Sequence, residues 1–309
     1  MFSVIVPVHN GEKTLRRCVE SLISQASEII LIENGSSDKS RDLCNDLAKE
    51  YENVISLDGS GIRGVSAARN LGLSAATKEY VLFCDCDDYV DSDYAKTFRN
   101  AIAGGADFAI CGYVNHDEVV AGRTDIYGFD KEEEVNIFPR LEEIHKKCLL
   151  QQLWNKVFSA EIIKKHNVKF DESISIGEDM RFVLAYLDAA RPQKTLLIAN
   201  PLYHYMRDQP GSLMYRMGTE RTEEVIINLA EMYRLCGISE EEIKSRITIE
   251  RERQKELYAY MIMHNYGMAL SEKRRLILKL DHEEGPRLFR QNLILLCKEK
   301  LSTLLKRGN

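Results

Sequence analysis

Four short apolar runs rich in β-branched residues, 2–8, 29–32, 54–57 and 80–83, recur near the start of this chain. Segments of helical character separate them. Residues 12–24 place Leu15, Cys18, Val19, Leu22 and Ile23 at a 3.6-residue period. Residues 39–51 follow Ser37 and Asp38, either of which can cap a helix, and 65–76 form the third segment. Such β-α alternation predicts a mostly parallel, Rossmann-like sheet with helices on both faces. Pro7 is expected to end the first strand or to sit at its edge. Ligands of these sheets lie beyond the carboxyl ends of the strands. Each predicted strand here is followed by a polar cluster: 9–12, 33–38, 58–64 and 85–91.

The last cluster carries the most chemistry. The run from Tyr80 to Phe83 ends in Asp85, Asp87 and Asp88. In extended chain Asp85 and Asp87 share one face. Two carboxylates about 4 Å apart repel by roughly 4 kcal/mol at an effective dielectric near 20. A divalent cation with oxygen ligands would relieve that repulsion and could carry a diphosphate on its far side. The plain alternative is an acidic turn facing solvent.

Composition narrows the class. The 309 residues are 44% hydrophobic and 29% charged, as in a soluble globular protein. A net charge of −6 argues against a general nucleic-acid binder. The eight cysteines show no secreted-scaffold spacing, and Cys84-x-Cys86 lacks a second pair for a zinc site. Free thiols in a reducing cytoplasm are the expectation. The short apolar start has no basic leader, and no run of about 18 apolar residues predicts a membrane span.

Further along, 107–113 reads as another strand and 114–135 as a polar hairpin or loop. Residues 148–216 carry Trp154-Asn155-Lys156, Gly177-Glu178-Asp179 and Tyr203-His204-Tyr205-Met206-Arg207. From about 219 long helices are expected, one of them opened by a Ser239/Glu242 capping box and another by Ser271 and Glu272. This gives an expected catalytic domain at 1–217, with a nucleotide half to about 112 and an acceptor half beyond it. A helical extension would follow at 218–309.

One competing fingerprint is present. Gly59-Ser60-Gly61-Ile62-Arg63-Gly64 fits the dinucleotide-binding G-x-G-x-x-G pattern, with Asp85 about 20 residues later. That pattern belongs to the first strand of a sheet, and two β-α units precede it here. A single ribose-binding acid also leaves the other carboxylates of 85–88 unexplained, so an NAD(P)-dependent oxidoreductase is the weaker reading.

Together the motifs resemble family 2 glycosyltransferases of the GT-A fold. Val4-Ile5-Val6-Pro7-Val8-His9-Asn10 is similar to their opening strand, and Ile32-Glu33-Asn34-Gly35-Ser36-Ser37-Asp38 to their V-D-D-G-S-x-D. Gly64 to Gly72 resembles G-x-S-x-A-R-N-x-G, Phe83 to Asp88 resembles F-L-D-x-D-D, and Glu178-Asp179 with Phe182 resembles E-D-x-x-F. The resemblance covers about residues 2–215. It implies an inverting transfer from a nucleotide sugar, most often a UDP-sugar, to an acceptor hydroxyl, with Mn²⁺ or Mg²⁺ on the diphosphate. Asp179 would be the general base and Glu178 would orient the acceptor. Asp87 would be the main metal ligand, with Asp85 beside it and His204 as a third. Pro7, Val8, Asn10, Glu12, Glu33, Asn34, Arg69, Asp85, Cys86, Trp154, Lys156, Arg207 and Ser212 would line the nucleotide-sugar site. Each has a plainer reading: Glu178-Asp179 as acids favouring a helix dipole, Trp154 as packing, Lys156 as a solvated amine.

One departure concerns the donor. The paired aspartates of the second strand are Glu33 and Asn34 here. Asn34 can still pair with uracil, since an amide both donates and accepts. A different base, or a base contact from Glu33, is the other option. The resemblance also implies a bacterial surface-glycan role, with a glycan, polyol-phosphate or lipid-linked acceptor. The amphipathic stretch 288–307 fits either packing on the protein or a second subunit, or lying on an anionic leaflet at the cytoplasmic face. A non-catalytic nucleotide-sugar or glycan binder of the same fold is the alternative from another class. A nucleotidyltransferase would need a Gly-rich, Arg-bearing loop after the first strand, and His9 to Glu12 is not that.

Overall fold

The computed structural model describes residues 1–117, 123–174, 176–207, 220–263, 269–280 and 286–294. Two compact units result, one of Met1–Leu213 with Glu231–Gly237 and the other of Met214–Ala230 with Ile238–Asn309.

The first unit opens with the predicted alternation: β1 (Phe2–Val8), α1 (Leu15–Leu22), β2 (Glu28–Glu33), α2 (Ser40–Glu50), β3 (Val54–Asp58), α3 (Gly64–Ala75) and β4 (Tyr80–Phe83). The strands lie parallel in the order β3-β2-β1-β4. β1 and β2 are buried along their whole length, as continuous apolar runs between two helical layers should be. Contrary to expectation, Pro7 lies inside β1 and opposite Ile32 of β2. β4 pairs only with Phe2 to Ile5, so it stops short of Pro7 and asks no N–H of it. The glycine-rich loop 59–64 follows β3, the outermost strand, not the central one.

Helix α3 sits unusually close to the sheet. A Cβ on Gly72 would meet Ile5 Cγ2 at 2.5 Å and Ile32 Cδ1 at 3.0 Å, so only glycine fits. That proximity, helped by Ala67 and Ala68, brings Arg69 down against the strand ends.

Beyond β4 the chain continues through β5 (Tyr89–Val90), α4 (Tyr94–Ala103), β6 (Phe108–Asp117), β7 (Arg123–Tyr127) and β8 (Glu133–Val135). Then come α5 (Leu141–Lys146), β9 (Lys156–Ser159), α6 (Ala160–Lys165), α7 (Glu178–Ala190) and β10 (Thr195–Arg207). β9 enters antiparallel between β4 and β6, and β10 lies parallel to β6. The sheet thus runs β3-β2-β1-β4-β9-β6-β10-β5, with β7 on β6 and β8 on β10. The polar stretch 114–135 includes the antiparallel β6–β7 pair.

Four phenylalanines join the halves. Phe83 at the end of β4 packs edge-on against Phe158, Phe170 and Phe182, with centroids 5.6–5.7 Å apart. Phe182 lies on α7 one turn beyond Glu178 and Asp179, which share its side of the helix. Burying Phe182 therefore sets the acids above the end of β4.

The second unit contains most of α8 (Glu220–Leu235), together with α9 (Glu240–Met263) and α10 (Leu270–Leu280). Ser239 Oγ accepts the Glu242 N–H at α9, as the capping box requires. Ala259, Ile262, Met263, Ile277 and Leu288 make an apolar cluster there. Of the amphipathic stretch 288–307, residues up to 294 are helical and the rest lie outside the described residues. Among the described residues no helix is long and apolar enough to cross a membrane.

Candidate active site

The first two strand ends are laced together. Val8 O accepts the Asn34 N–H at 2.8 Å, and Asn10 Oδ1 accepts the Ser37 N–H at 2.8 Å. Asn10 adopts φ 54°, a left-handed conformation that asparagine tolerates. Asp38 Oδ2 accepts the Glu12 N–H, and Asp38 Oδ1 accepts both the N–H and the hydroxyl of Ser40. Glu12 Oε2 accepts from Lys39 N at 3.4 Å. The structure thus brings Pro7, Val8, Asn10, Glu12 and Asn34 to one edge. Glu33 is there too, but its carboxylate is buried. It takes the Ser36 N–H at 2.6 Å and lies 2.7 Å from Arg41 Nη2. Glu33 therefore shapes this loop, and its carboxylate is already committed rather than held out for a base.

The acidic cluster is a turn, not extended chain. Asp88 N–H bonds to Asp85 O at 3.1 Å, reversing the backbone just past β4. Asp85 and Asp87 stay half-buried while Asp88 turns fully inward. Tyr203 of β10 donates its hydroxyl to Asp88 Oδ2 at 2.6 Å and accepts the Asp85 N–H at 3.1 Å. Met206 N–H adds a bond to Asp88 Oδ1 at 2.7 Å. Burial, then the charges of Asp87 and Asp85, push Asp88 well above the ordinary carboxylate range. The pairing of Asp88 with Tyr203 escaped the sequence reading because it spans 115 residues. Arg17 steadies the turn from α1, donating to Asp87 O at 2.5 Å. Cys86 packs on Gly11, where a Cβ would come within 3.0 Å of its sulfur.

Arg69 is the hub. Its Nη2 lies 3.2 Å from Asp85 Oδ1, and its Nη1 lies 2.6 Å from Asp179 Oδ1 and 3.4 Å from Glu178 Oε1. Its side chain is only 5% exposed, and the guanidinium stands 5.5 Å from the Phe170 ring centre. Next to it, Asn70 holds the backbone N–H and C=O of Phe170 with its side-chain amide. Burial disfavours the Arg69 charge, but Asp179, Asp85 and Glu178 outweigh that and raise its pKa. Burial pushes Asp179 up to about 8; Arg69 opposes the shift, and Glu178 and Asp85 add to it. Gly177, at φ 82°, turns the chain into α7 so that both acids fall in its first turn.

Three expected contacts change. Lys156 is no solvated amine and no ligand group. It is fully buried, its Nζ bonded to Leu149 O, Gln152 O and Asn155 Oδ1, and burial pulls its pKa well down. Trp154 is also buried, stacked 4.1 Å from Tyr203, and so acts from behind the tyrosine. His204 follows Tyr203 on β10 and so projects from the opposite face. Its ring nitrogens meet His116 Nε2 at 2.9 Å and Asp91 Oδ1 at 3.1 Å, and its ring stacks on Tyr89. Both nitrogens are committed, which removes it as a third metal ligand. The side chain of Arg207 and all of Ser212 lie outside the described residues.

No group of three or more His, Cys, Asp or Glu side chains able to hold a metal ion occurs among the described residues. A magnesium-like ion does not need one, since it is often held by one or two carboxylates with substrate phosphates and water. Asp87 and Asp85, half-buried hard-oxygen donors on one turn, fit that demand.

Known proteins point the same way. The family described as Glycosyl transferase family 2 matches residues 3–166. Glycosyltransferase GlyA of Streptococcus pneumoniae is 30% identical over 73% of this chain, and the match covers 33% of GlyA. Minor teichoic acid biosynthesis protein GgaB of Bacillus subtilis is 30% identical over 92% of this chain and 31% of its own length. The chain thus spans about a third of either relative. Among solved structures, S. aureus TarS 1-349 in complex with UDP-GlcNAc superposes with a TM-score of 0.62 at 20% identity, covering 94% of this chain and 79% of that one. That likeness bears on the fold, a GT-A arrangement.

Proposed function

The chain belongs to glycosyl transferase family 2, and from that premise we propose that it moves a sugar from a nucleotide-diphosphate donor, a UDP-sugar, to an acceptor hydroxyl with inversion. The observation that carries this reading is Arg69, which ties Asp85 of the acidic turn to Asp179 and Glu178. A donor-holding turn and a base must stand on either side of one anomeric carbon, and a single guanidinium fixes their spacing.

In this reading Asn10, Glu12 and Asn34 border the nucleoside, and Asn34 offers an amide to its base. Asp87, with Asp85, would hold a divalent cation whose charge offsets that of the leaving diphosphate. Asp179 accepts the proton of the acceptor hydroxyl, and the freed oxygen pair bonds to the anomeric carbon. The bond from that carbon to the diphosphate oxygen breaks, and its electron pair leaves with the nucleotide. Glu178, a few ångströms away on the same helical turn, orients the hydroxyl. An acceptor of the glycan or polyol-phosphate class agrees with the teichoic acid that GgaB is named for.

Calorimetric titration of UDP with Mn²⁺ tests the donor side. Saturable binding is expected, lost in EDTA and in Asp87→Ala. Equal binding with and without the cation would refute the metal's role, and no binding of UDP in either condition would refute the donor.

A further inference from the structure

The face of the sheet that carries Tyr203 continues outward beyond the acidic turn. Paired residues on adjacent strands point to the same side. Tyr203 of β10, Tyr113 of β6 and Tyr127 of β7 therefore form one cross-strand row. The next row is Tyr205, Asn115 and Asp125. Trp154 backs both rows: Tyr203 stacks on it at 4.1 Å and Tyr205 at 5.8 Å, and Tyr113 meets its edge at 4.8 Å. Tyr113 in turn stacks on Tyr127 at 4.7 Å.

Asn115 stands out in this frame. Its side chain is buried, yet among the described residues its Oδ1 has no hydrogen-bond partner. An unmade bond at a buried amide is costly, and native structures keep few of them. Half-buried Tyr205 and Asp125 flank it, with Asp125 held by Arg123 at 3.0 Å. A planar amide and a carboxylate beside aromatic rings offer hydrogen-bond acceptors and a flat apolar surface. Sugars and polyols present the complement, hydroxyl donors on a C–H-rich face.

We propose that Tyr205, Asn115 and Asp125, backed by Trp154, Tyr113 and Tyr127, form a subsite for a hydroxyl-rich saccharide or polyol unit of the acceptor. This rests on the glycosyltransferase reading above and extends it. Continuity supports it: the ring of Tyr203 leads into the subsite, while its hydroxyl holds Asp88 and the Asp85 N–H. Tyr203 thereby joins the subsite to Asp85, which shares Arg69 with Asp179, the proposed base. An acceptor lying on the two rows would present its terminal hydroxyl toward Asp179.

The chain has one tryptophan, Trp154, so its fluorescence reports on this face. The 309-residue chain, with UDP and Mn²⁺ present, is titrated with a ribitol-phosphate oligomer, chitobiose and methyl β-glucoside. A saturable change is expected with at least one probe, weakened about tenfold in Asn115→Leu, as loss of one hydrogen bond predicts. The isosteric Asp125→Asn should weaken it about threefold and guards against misfolding of the first variant. UDP affinity, measured on the same samples, should not move. No saturable change with any probe, or equal affinities in wild type and both variants, overturns the subsite. Failure of the wild type to bind UDP would instead count against the donor reading.

Discussion

Asp38 and Asp179 are both carboxylates beside the start of a helix, and their surroundings push them in opposite directions. Asp38 feels some burial, but the Ser40 hydroxyl and the N–H groups of Glu12 and Ser40 outweigh it and hold its pKa low. Asp179 is pushed up to about 8, mainly by burial, with Glu178 and Asp85 crowding the same Arg69. If all are ionised, three carboxylates around Arg69 leave a local charge of 1 − 3 = −2. The loop around Asp38 is complete in itself, so its role is to hold shape. The junction around Arg69 is incomplete in itself, and a site that must exchange protons and bind cations is built that way.

The comparison breaks most sharply at Arg69. Arg69→Met strands partly buried acids without their cation, and removing one partner of a fully buried group costs about 3–5 kcal/mol, an upper bound here. Urea unfolding should show a loss of up to that size, with transfer abolished. A loss under 1 kcal/mol would mean that the acids are better solvated than their surroundings imply.

Asp179→Asn acts on the same junction without emptying it. A general base contributes about 10²–10⁴-fold, so kcat should fall by that factor while UDP binding holds. The pH profile supplies a second check. Only ionised Asp179 accepts a proton, and its pKa is raised, so transfer should climb with pH and level off above about 8. A rate already flat between pH 5 and 7 would assign the base elsewhere.

Much of this contrast was legible in the chain before folding. Strand ends, polar clusters and capping residues are local, and β1 to β4 follow them closely. Local reading failed where partners are distant. Arg69 meets Glu178 across 109 residues, and nothing near either names the other. The cluster Asp85, Asp87 and Asp88 was legible as acidic, but not the inward turn of Asp88, whose partner Tyr203 lies 115 residues away. Lys156 looked solvated until Leu149 and Gln152 folded their carbonyls around it. The antiparallel entry of β9 likewise depends on contacts that no window of sequence contains.

Tyr203→Phe probes the ground between the two regions. It removes the donor to Asp88 Oδ2 and the acceptor of the Asp85 N–H, while keeping the stack on Trp154. A buried acid left without its donor costs about 1–3 kcal/mol. Stability should drop within that range, and Mn²⁺-dependent UDP binding should weaken as the turn loosens. Unchanged cation dependence would show that the turn holds its shape through Arg17 and the backbone alone.

Asp38→Ala should cost least. It removes a cap-like acceptor of N–H groups, worth about 1 kcal/mol at neutral pH. The sign of its pH dependence is fixed by the lowered pKa. A group with a depressed folded pKa stabilises above its ordinary value of 3.8, and the contribution is lost as pH falls through the folded value. Wild type and Asp38→Ala should therefore differ in urea midpoint at pH 7 and converge in acid. Asp179→Asn has no reason to converge in the same window, because wild-type Asp179 titrates far above it. If the two proteins had the same urea midpoint already at pH 7, the loop would owe its order to the Ser40 hydroxyl on the Gly11 N–H rather than to the Asp38 charge.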